Sequence, residues 1–463
     1  MLIRQAEVQG KAGIDVRLVD GLIVEMGAGL ARRADEVVLD AQGGALLPGL
    51  HDHHLHLYSL AAARASIPCG PPRVHTPHQL RAALHAAAMD DRQPWLRGVG
   101  YHETVAGEID RDWLDANGPA RPLRIQHRSG RLWLLNSLAL EALASGEGDD
   151  PLERIAGRAT GRLYDADDWL RQRLPRQRPS LQGVSRLLAS YGVTAVTDTT
   201  PQNSAATWQD FAAAQARGDL RQALMVMGDG SLDAASDQPG LLRGAHKFHL
   251  HEHELPDFEA LCADIERSHR AGRGAAFHCV TRTDLVFALA ALQASGGHPG
   301  DRIEHASVAP PELLSALRAQ GVTVVTQPHF IQERGDAYRL EVAAEDQPWL
   351  YRLRGLLEAG IPLAGGSDAP FGEPSPWAAM QAAVSRRTQG GAVMGAAEAL
   401  TPEQALALFT TPLDAPGALP RRIAVGAAAD LCLLDRPWAA ARADLAAVQV
   451  RQTWRAGQTL WVC

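Results

Sequence analysis

Lysine is almost missing from this chain of 463 residues. Of 45 basic residues only Lys11 and Lys247 are lysine, and the other 43 are arginine. Arginine serves as the surface charge nearly everywhere. A lysine kept inside an apolar run therefore asks for something a guanidinium cannot supply, a primary amine whose pKa shifts readily on burial. Cysteine is scarce as well. Five stand at positions 69, 262, 279, 432 and 463, odd in number, widely spaced and without a C-x-x-C pair. That argues against a disulfide framework and predicts a reduced, cytoplasmic setting. No run of eighteen apolar residues occurs, which excludes a helical membrane span. The opening MLIRQAEVQGKAGIDVRLVDG has no basic stretch leading into an apolar core, so no secretory signal is expected. A net charge of −8 argues against a nucleic-acid partner. What remains, 46% hydrophobic and 21% charged, is the composition of a folded globular chain, too long for one ordinary domain.

Both ends alternate polar and apolar residues with Gly turns: DVRLVDGLIVEMG and DEVVLDAQGGALLPG at the start, RIAVGAAADLCLLDRP and VQVRQTWRAGQTLWV at the finish. This period of two predicts strands, and the two ends are expected to meet in one small β-sandwich domain, residues 1–48 with 422–463. From about residue 186 short apolar runs alternate with helical stretches. The runs are 192–199, 221–229, 246–252, 275–280, 302–308, 322–328 and 361–370, and the strand ending in LPGLHDHHLHL (46–57) makes eight. Eight strands alternating with helices predict an α/β fold, a (β/α)8 TIM barrel over residues 49–60 and 186–421. Residues 61–185 break the rhythm and are expected to form an insertion after the first strand, over the barrel mouth.

Asp52-x-His54-x-His56 follows Pro48-Gly49. Residues two apart in a strand face the same side, so His54 and His56 point together and suit one cation. Alone the pair is a weak signal. It gains weight because Lys247, His278, His305 and Asp368 each fall at the end of a later strand run, and the C-terminal strand ends of a barrel converge on one mouth. Imidazole and carboxylate suit zinc and other first-row metals. An uncharged Lys247 amine near a metal takes up CO2 to form a carbamate, a bridging oxygen ligand. The bland alternatives are a core histidine, a turn aspartate and a solvent-reaching lysine. His51 and His53 lie on the opposite strand face and are expected to be structural or to support the ligands from behind.

The set PGLHDHHLHL, Lys247, His278, RIEHASV and GGSDAP resembles the metal-dependent amidohydrolase superfamily, and within it the branch of N-substituted formamide deformylases. The resemblance runs over nearly the whole chain. It implies two divalent metals, zinc by preference. His54 and His56 would bind one with Asp368, His278 and His305 the other, and an N-carboxylated Lys247 would bridge them. It further implies that Asp368 is the catalytic residue, taking the proton of a metal-activated hydroxide that cleaves a linear or cyclic amide, a carbon–nitrogen bond outside peptides. A small-molecule substrate follows, and a homodimer is a guess from the family.

Two departures from the branch stand out. Lys247-Phe-His249-Leu-His251 puts His249 and His251 on the lysine's face, either of them a competing ligand or a pocket-rim residue. Arg131 stands where relatives carry a histidine, before Trp133 and Asn136, and either pairs with a substrate carboxylate or is a surface charge. His329, after the seventh strand, is placed to reach the mouth. His249, His329, Arg131 and Trp133 are thus the candidate substrate-binding residues. The competing readings are a one-metal deaminase of a nitrogen heterocycle and a non-catalytic scaffold.

Overall fold

A computed structural model of the chain describes residues 1–71, 73–89, 94–143, 150–174 and 178–463. The insertion expected over 61–185 includes positions 72, 90–93, 144–149 and 175–177, which lie outside the described residues. The chain divides into two compact units, Met1–Leu57 with Leu181–Cys463, and Tyr58–Ser180.

The first unit contains eight parallel strands: β1 (Leu50–Leu55), β2 (Val193–Asp198), β3 (Ala223–Gly228), β4 (Leu241–His249), β5 (Ala275–Cys279), β6 (Arg302–His305), β7 (Thr323–Thr326) and β8 (Leu363–Gly365). They pair in sequence order from β1 to β8. Just past β8 the backbone returns to the first strand: Asp368 N–H donates to the His54 carbonyl at 2.7 Å, and His56 N–H to the Ala369 carbonyl at 2.9 Å. These two bonds bring the last strand end against the first, and the sheet curls into a (β/α)8 barrel. Strands such as β3 and β8 read as apolar runs because helices cover their outer faces, whereas β1 and β6 carry the buried polar residues of the site.

The helices begin and stop where local chemistry dictates. Thr281 and Asp284 form a reciprocal capping box ahead of Arg282–Ser295, and Gly296 ends that helix at φ 76°. Asp257 caps Phe258–Arg270 by accepting the Ala260 N–H. Pro311 opens Pro311–Ala319, where its missing N–H costs nothing.

The chain ends do pair. Ala45–Pro48 runs antiparallel to Leu431–Leu434, within one eight-stranded sheet that also holds Leu2–Val8, Lys11–Val19, Leu22–Gly27, Val450–Arg455 and Gln458–Val462. Its core joins Ile3, Val16, Ile23 and Leu46 from the start with Leu431, Leu433 and Trp454 from the end. The second unit has a six-stranded sheet of its own. Leu123–His127 and Leu132–Leu135 pair antiparallel at its centre, Leu96–Tyr101 pairs parallel with the former, and an apolar cluster of Leu80, Leu84, Leu114, Leu123 and Ile125 supports it.

Candidate active site

The site grows from strand β1, whose six residues are all buried. His54 sits near its C-terminal end. Its Nδ1–H donates to Glu304 Oε2 at 2.5 Å, which leaves Nε2 turned to Asp368 Oδ1, 3.4 Å away. His56 repeats the pattern. Its Nδ1 lies 2.9 Å from the Thr200 hydroxyl and its Nε2 lies 3.1 Å from the same Asp368 oxygen. The ligand-capable atoms of His54, His56 and Asp368 all fall within 4.8 Å of one another, the one such group of three among the described residues.

His305, at the end of β6, donates Nδ1–H to Gln327 Oε1 at 2.7 Å. Its Nε2 is thereby the atom left for another partner. A ligating imidazole is usually held in this way through its other nitrogen, which fixes tautomer and ring orientation. The rings form a continuous row. Centroids are 5.6 Å apart for His56 and His54, 4.7 Å for His54 and His305, 4.5 Å for His305 and His278, and 4.2 Å for His278 and His249. His249 stands in register with His278 across β4 and β5, exposed at the strand end. His251 extends the row at 4.3 Å.

Lys247 lies two residues before His249 on β4. It is 5% exposed, and its Nζ has no hydrogen-bond partner. Burial pulls the amine down to about 8, against the opposing charges of Glu304 and Asp368. Burial also drives His305 down to about 3, helped by the neighbouring His54, and holds His278 well below its usual range. Both rings are neutral at working pH, the form in which imidazole binds metals. Asp368 moves the other way. Burial would raise it, but hydrogen bonds from His54 and His56 prevail and keep it well below the usual carboxylate range. Glu304, 0% exposed, is likewise held ionised: Arg302 donates to its two oxygens at 2.8 and 3.1 Å and so outweighs burial.

Two of these residues adopt left-handed backbone, His305 at φ 70° and Asp368 at φ 52°. Non-glycine residues in that region are uncommon, and such strain gathers at functional sites. Beneath Asp368, the Asp52 Oδ1 accepts the N–H groups of His54 and Ser367 and pins the two strand ends together.

The structure thus gathers His54, His56, Asp368, His305, His278 and His249 into one row and buries Lys247 within the field of Glu304 and Asp368. The remaining candidates are engaged in contacts of their own. His329 is fully buried, and its Nε2–H donates to the Ser367 carbonyl at 3.0 Å, so it anchors the turn that carries Asp368 instead of facing a ligand. Arg131 belongs to the second unit and forms a two-pronged pair with Asp165 at 2.8 and 2.6 Å. Trp133 is 4% exposed in that unit's own core, with the guanidiniums of Arg97 and Arg124 over its ring. His53 takes the Thr411 hydroxyl at 2.9 Å, a structural role.

Sequence reasoning passed over Glu304, Thr200 and Gln327, the groups that orient the imidazoles. Only Glu304 left a trace, an acidic residue between Ile303 and His305 inside a buried strand.

A sequence profile of the amidohydrolase family matches residues 37–461. The chain is 24% identical over 489 residues to an N-substituted formamide deformylase of Arthrobacter pascens, covering 92% of this chain and 90% of that one. It is 24% identical over 497 residues to the putative amidohydrolase YtcJ of Bacillus subtilis (strain 168), covering 91% and 90%. An uncharacterized metal-dependent hydrolase from Pyrococcus furiosus superposes with a TM-score of 0.77 at 19% identity, covering 94% of this chain and 98% of that one. With this fold and this row of imidazoles and carboxylate, the chain belongs to the amidohydrolase family, enzymes that hydrolyse carbon–nitrogen bonds other than peptide bonds.

Proposed function

We propose that this enzyme hydrolyses a linear or cyclic amide, with N-substituted formamides the first class to try, and that it works with two divalent ions, zinc by preference. The observation that carries the reading is the convergence of His54, His56 and Asp368 within 4.8 Å at the mouth of the barrel. The donor set fits such an ion: four imidazoles, of which burial keeps His278 and His305 neutral, and an ionised carboxylate, with the second nitrogen of His54 and His305 already engaged. Lys247 supports the second ion. A buried amine with no partner is costly unless it is modified or bound, and a carbamate formed on it would supply oxygen ligands. His54, His56 and Asp368 would hold one ion, and His278, His305 and carboxylated Lys247 the other. The formamide deformylase of Arthrobacter pascens supports the choice of amide.

A bound divalent ion supplies a water of lowered pKa and polarises the substrate carbonyl. The chain does the rest. Asp368, ionised throughout the working range, accepts the proton of the attacking water on a carboxylate oxygen and returns it to the leaving nitrogen. Glu304, Gln327 and Thr200 fix the imidazoles so that Asp368 and the ligating nitrogens keep their alignment. His249, exposed beside His278, is placed to meet a substrate at the rim.

A second reading, a one-ion deaminase of a nitrogen heterocycle, is favoured by the single convergent triad. Metal content per purified chain separates the two. Two atoms, one of them lost in Lys247→Arg together with a fall in amide turnover of about a hundredfold or more, supports the bridged site. One atom, with full activity in Lys247→Arg, supports the deaminase. Asp368→Asn is expected to lower kcat by at least about a thousandfold in a folded protein under either reading, and normal turnover in that variant would remove Asp368 from the chemistry.

A further inference from the structure

We propose that the chain has a second small-molecule site, at the opposite end of strand β1 from the imidazole row, shaped for a small organic carboxylate that also bears a hydroxyl or amino group. The proposal stands apart from the reading of the barrel mouth and needs no metal.

A cavity of about 410 Å3 opens where the start of β1 meets the sheet built from the chain ends. Its walls include the apolar Ile23 and Leu431, and its polar lining is His51, Arg421, Arg422, Asp414 and Asp430. That volume is in the range of small-ligand sites. His51 is 5% exposed, and neither ring nitrogen has a hydrogen-bond partner. The Thr411 backbone lies beside the ring and is the one group that favours its protonated form. Arg421 spends a single N–H, from Nη2 to the Gly49 carbonyl, and its Nε is buried without a partner. Among the described residues neither Arg421 nor Arg422 forms an ion pair.

These groups specify a ligand. A guanidinium fork matches a carboxylate, two N–H groups to two oxygens. A neutral imidazole offers one donor and one acceptor, and the acceptor calls for an O–H or N–H on the ligand. Burial and the charge of Arg421 both keep His51 in that neutral form. Of the two acids, Asp430 is engaged, its Oδ1 accepting the Ala456 N–H at 2.6 Å, and Asp414 is exposed. Arg421, part-buried beside Asp430 but with its Nε–H unspent, sets the preference for an anion, the exposed Arg422 adds to it at the rim, and His51 sets the preference for a second polar group.

The test is a thermal-shift titration of the zinc-loaded full chain with sodium lactate, glycine and inorganic phosphate at constant ionic strength. The expected result is a saturable rise in Tm of a few degrees with lactate or glycine and none with phosphate. Ala428→Trp, which fills the cavity from a wall residue, should abolish it, and Arg422→Ala should weaken the apparent Kd at least about fivefold. A hydroxy acid also binds metals, so a shift that persists in Ala428→Trp places the ligand at the barrel mouth and overturns the proposal. So does a response to phosphate alone, or no saturable response. Should Ala428→Trp lose its native circular dichroism, Arg422→Ala decides alone, and unchanged affinity there overturns the site.

Discussion

Glu304 links three parts of the site. Its carboxylate holds the His54 imidazole and takes two bonds from Arg302, whose Nη2 also donates to the His53 carbonyl at 2.8 Å. Glu304→Gln keeps the shape and an acceptor but removes the charge. Metal affinity, measured by competition with a chromophoric chelator, is expected to weaken about 10- to 100-fold, the usual effect of losing such a supporting partner. Arg302 would lose its counter-charge in the core, so stability should fall as well, by about 3–5 kcal/mol. Unchanged affinity would mean that His54 needs no orientation. The proposed ligands stood out in the sequence because they are isolated His, Lys and Asp at the ends of strand runs. Their supports did not. The bond from His56 to Thr200 joins residues 144 positions apart, and Arg131 is committed to Asp165, 34 residues on. Nothing local to either residue reveals such a partner.

Among the elements, the junction between β1 and β8 carries the site. Gly366 follows β8, and a Cβ there would lie 2.5 Å from His54 Cβ and 2.7 Å from His54 N. Only glycine lets the last strand approach the first so closely. Gly366→Ala is expected to cost about 1–3 kcal/mol, typical of overpacking, and to lower metal affinity more than its effect on Tm explains, because the clash falls on His54, a proposed ligand. A variant with wild-type metal binding and a lowered Tm would show instead that the strands adjust without moving His54. All eight barrel strands were readable from the sequence, since β-branched runs between Gly-stopped helices have one common solution. The pairing of the two chain ends followed from their alternation. The six-stranded sheet of Tyr58–Ser180 did not, because its short strands pair out of sequence order around Leu132–Leu135.

The whole molecule depends on histidines that stay neutral. His53 and His329 are fully buried, and burial holds them at about 3 and about 4. Both values lie below that of an unfolded histidine, so the unfolded chain binds more protons and acid favours it. Their contribution is complete above about pH 6.5 and is lost as pH falls toward 4. At pH 5 each is worth about 2 kcal/mol of lost stability. The urea midpoint of the chelator-treated protein should therefore drop steeply between pH 7 and pH 5, and a flat profile over that interval would show that these side chains take up protons without opening the fold.

The two lysines have very different surroundings. Lys11 is exposed at the start of its strand, whereas Lys247 is enclosed in the barrel. Apart from the N-terminus, the folded protein therefore offers amine-directed reagents one reachable side chain. Crosslinkers and fluorescent esters would mark Lys11 and the N-terminal amine and leave Lys247 untouched. Coupling through Lys11 would tether every molecule to a support in the same orientation.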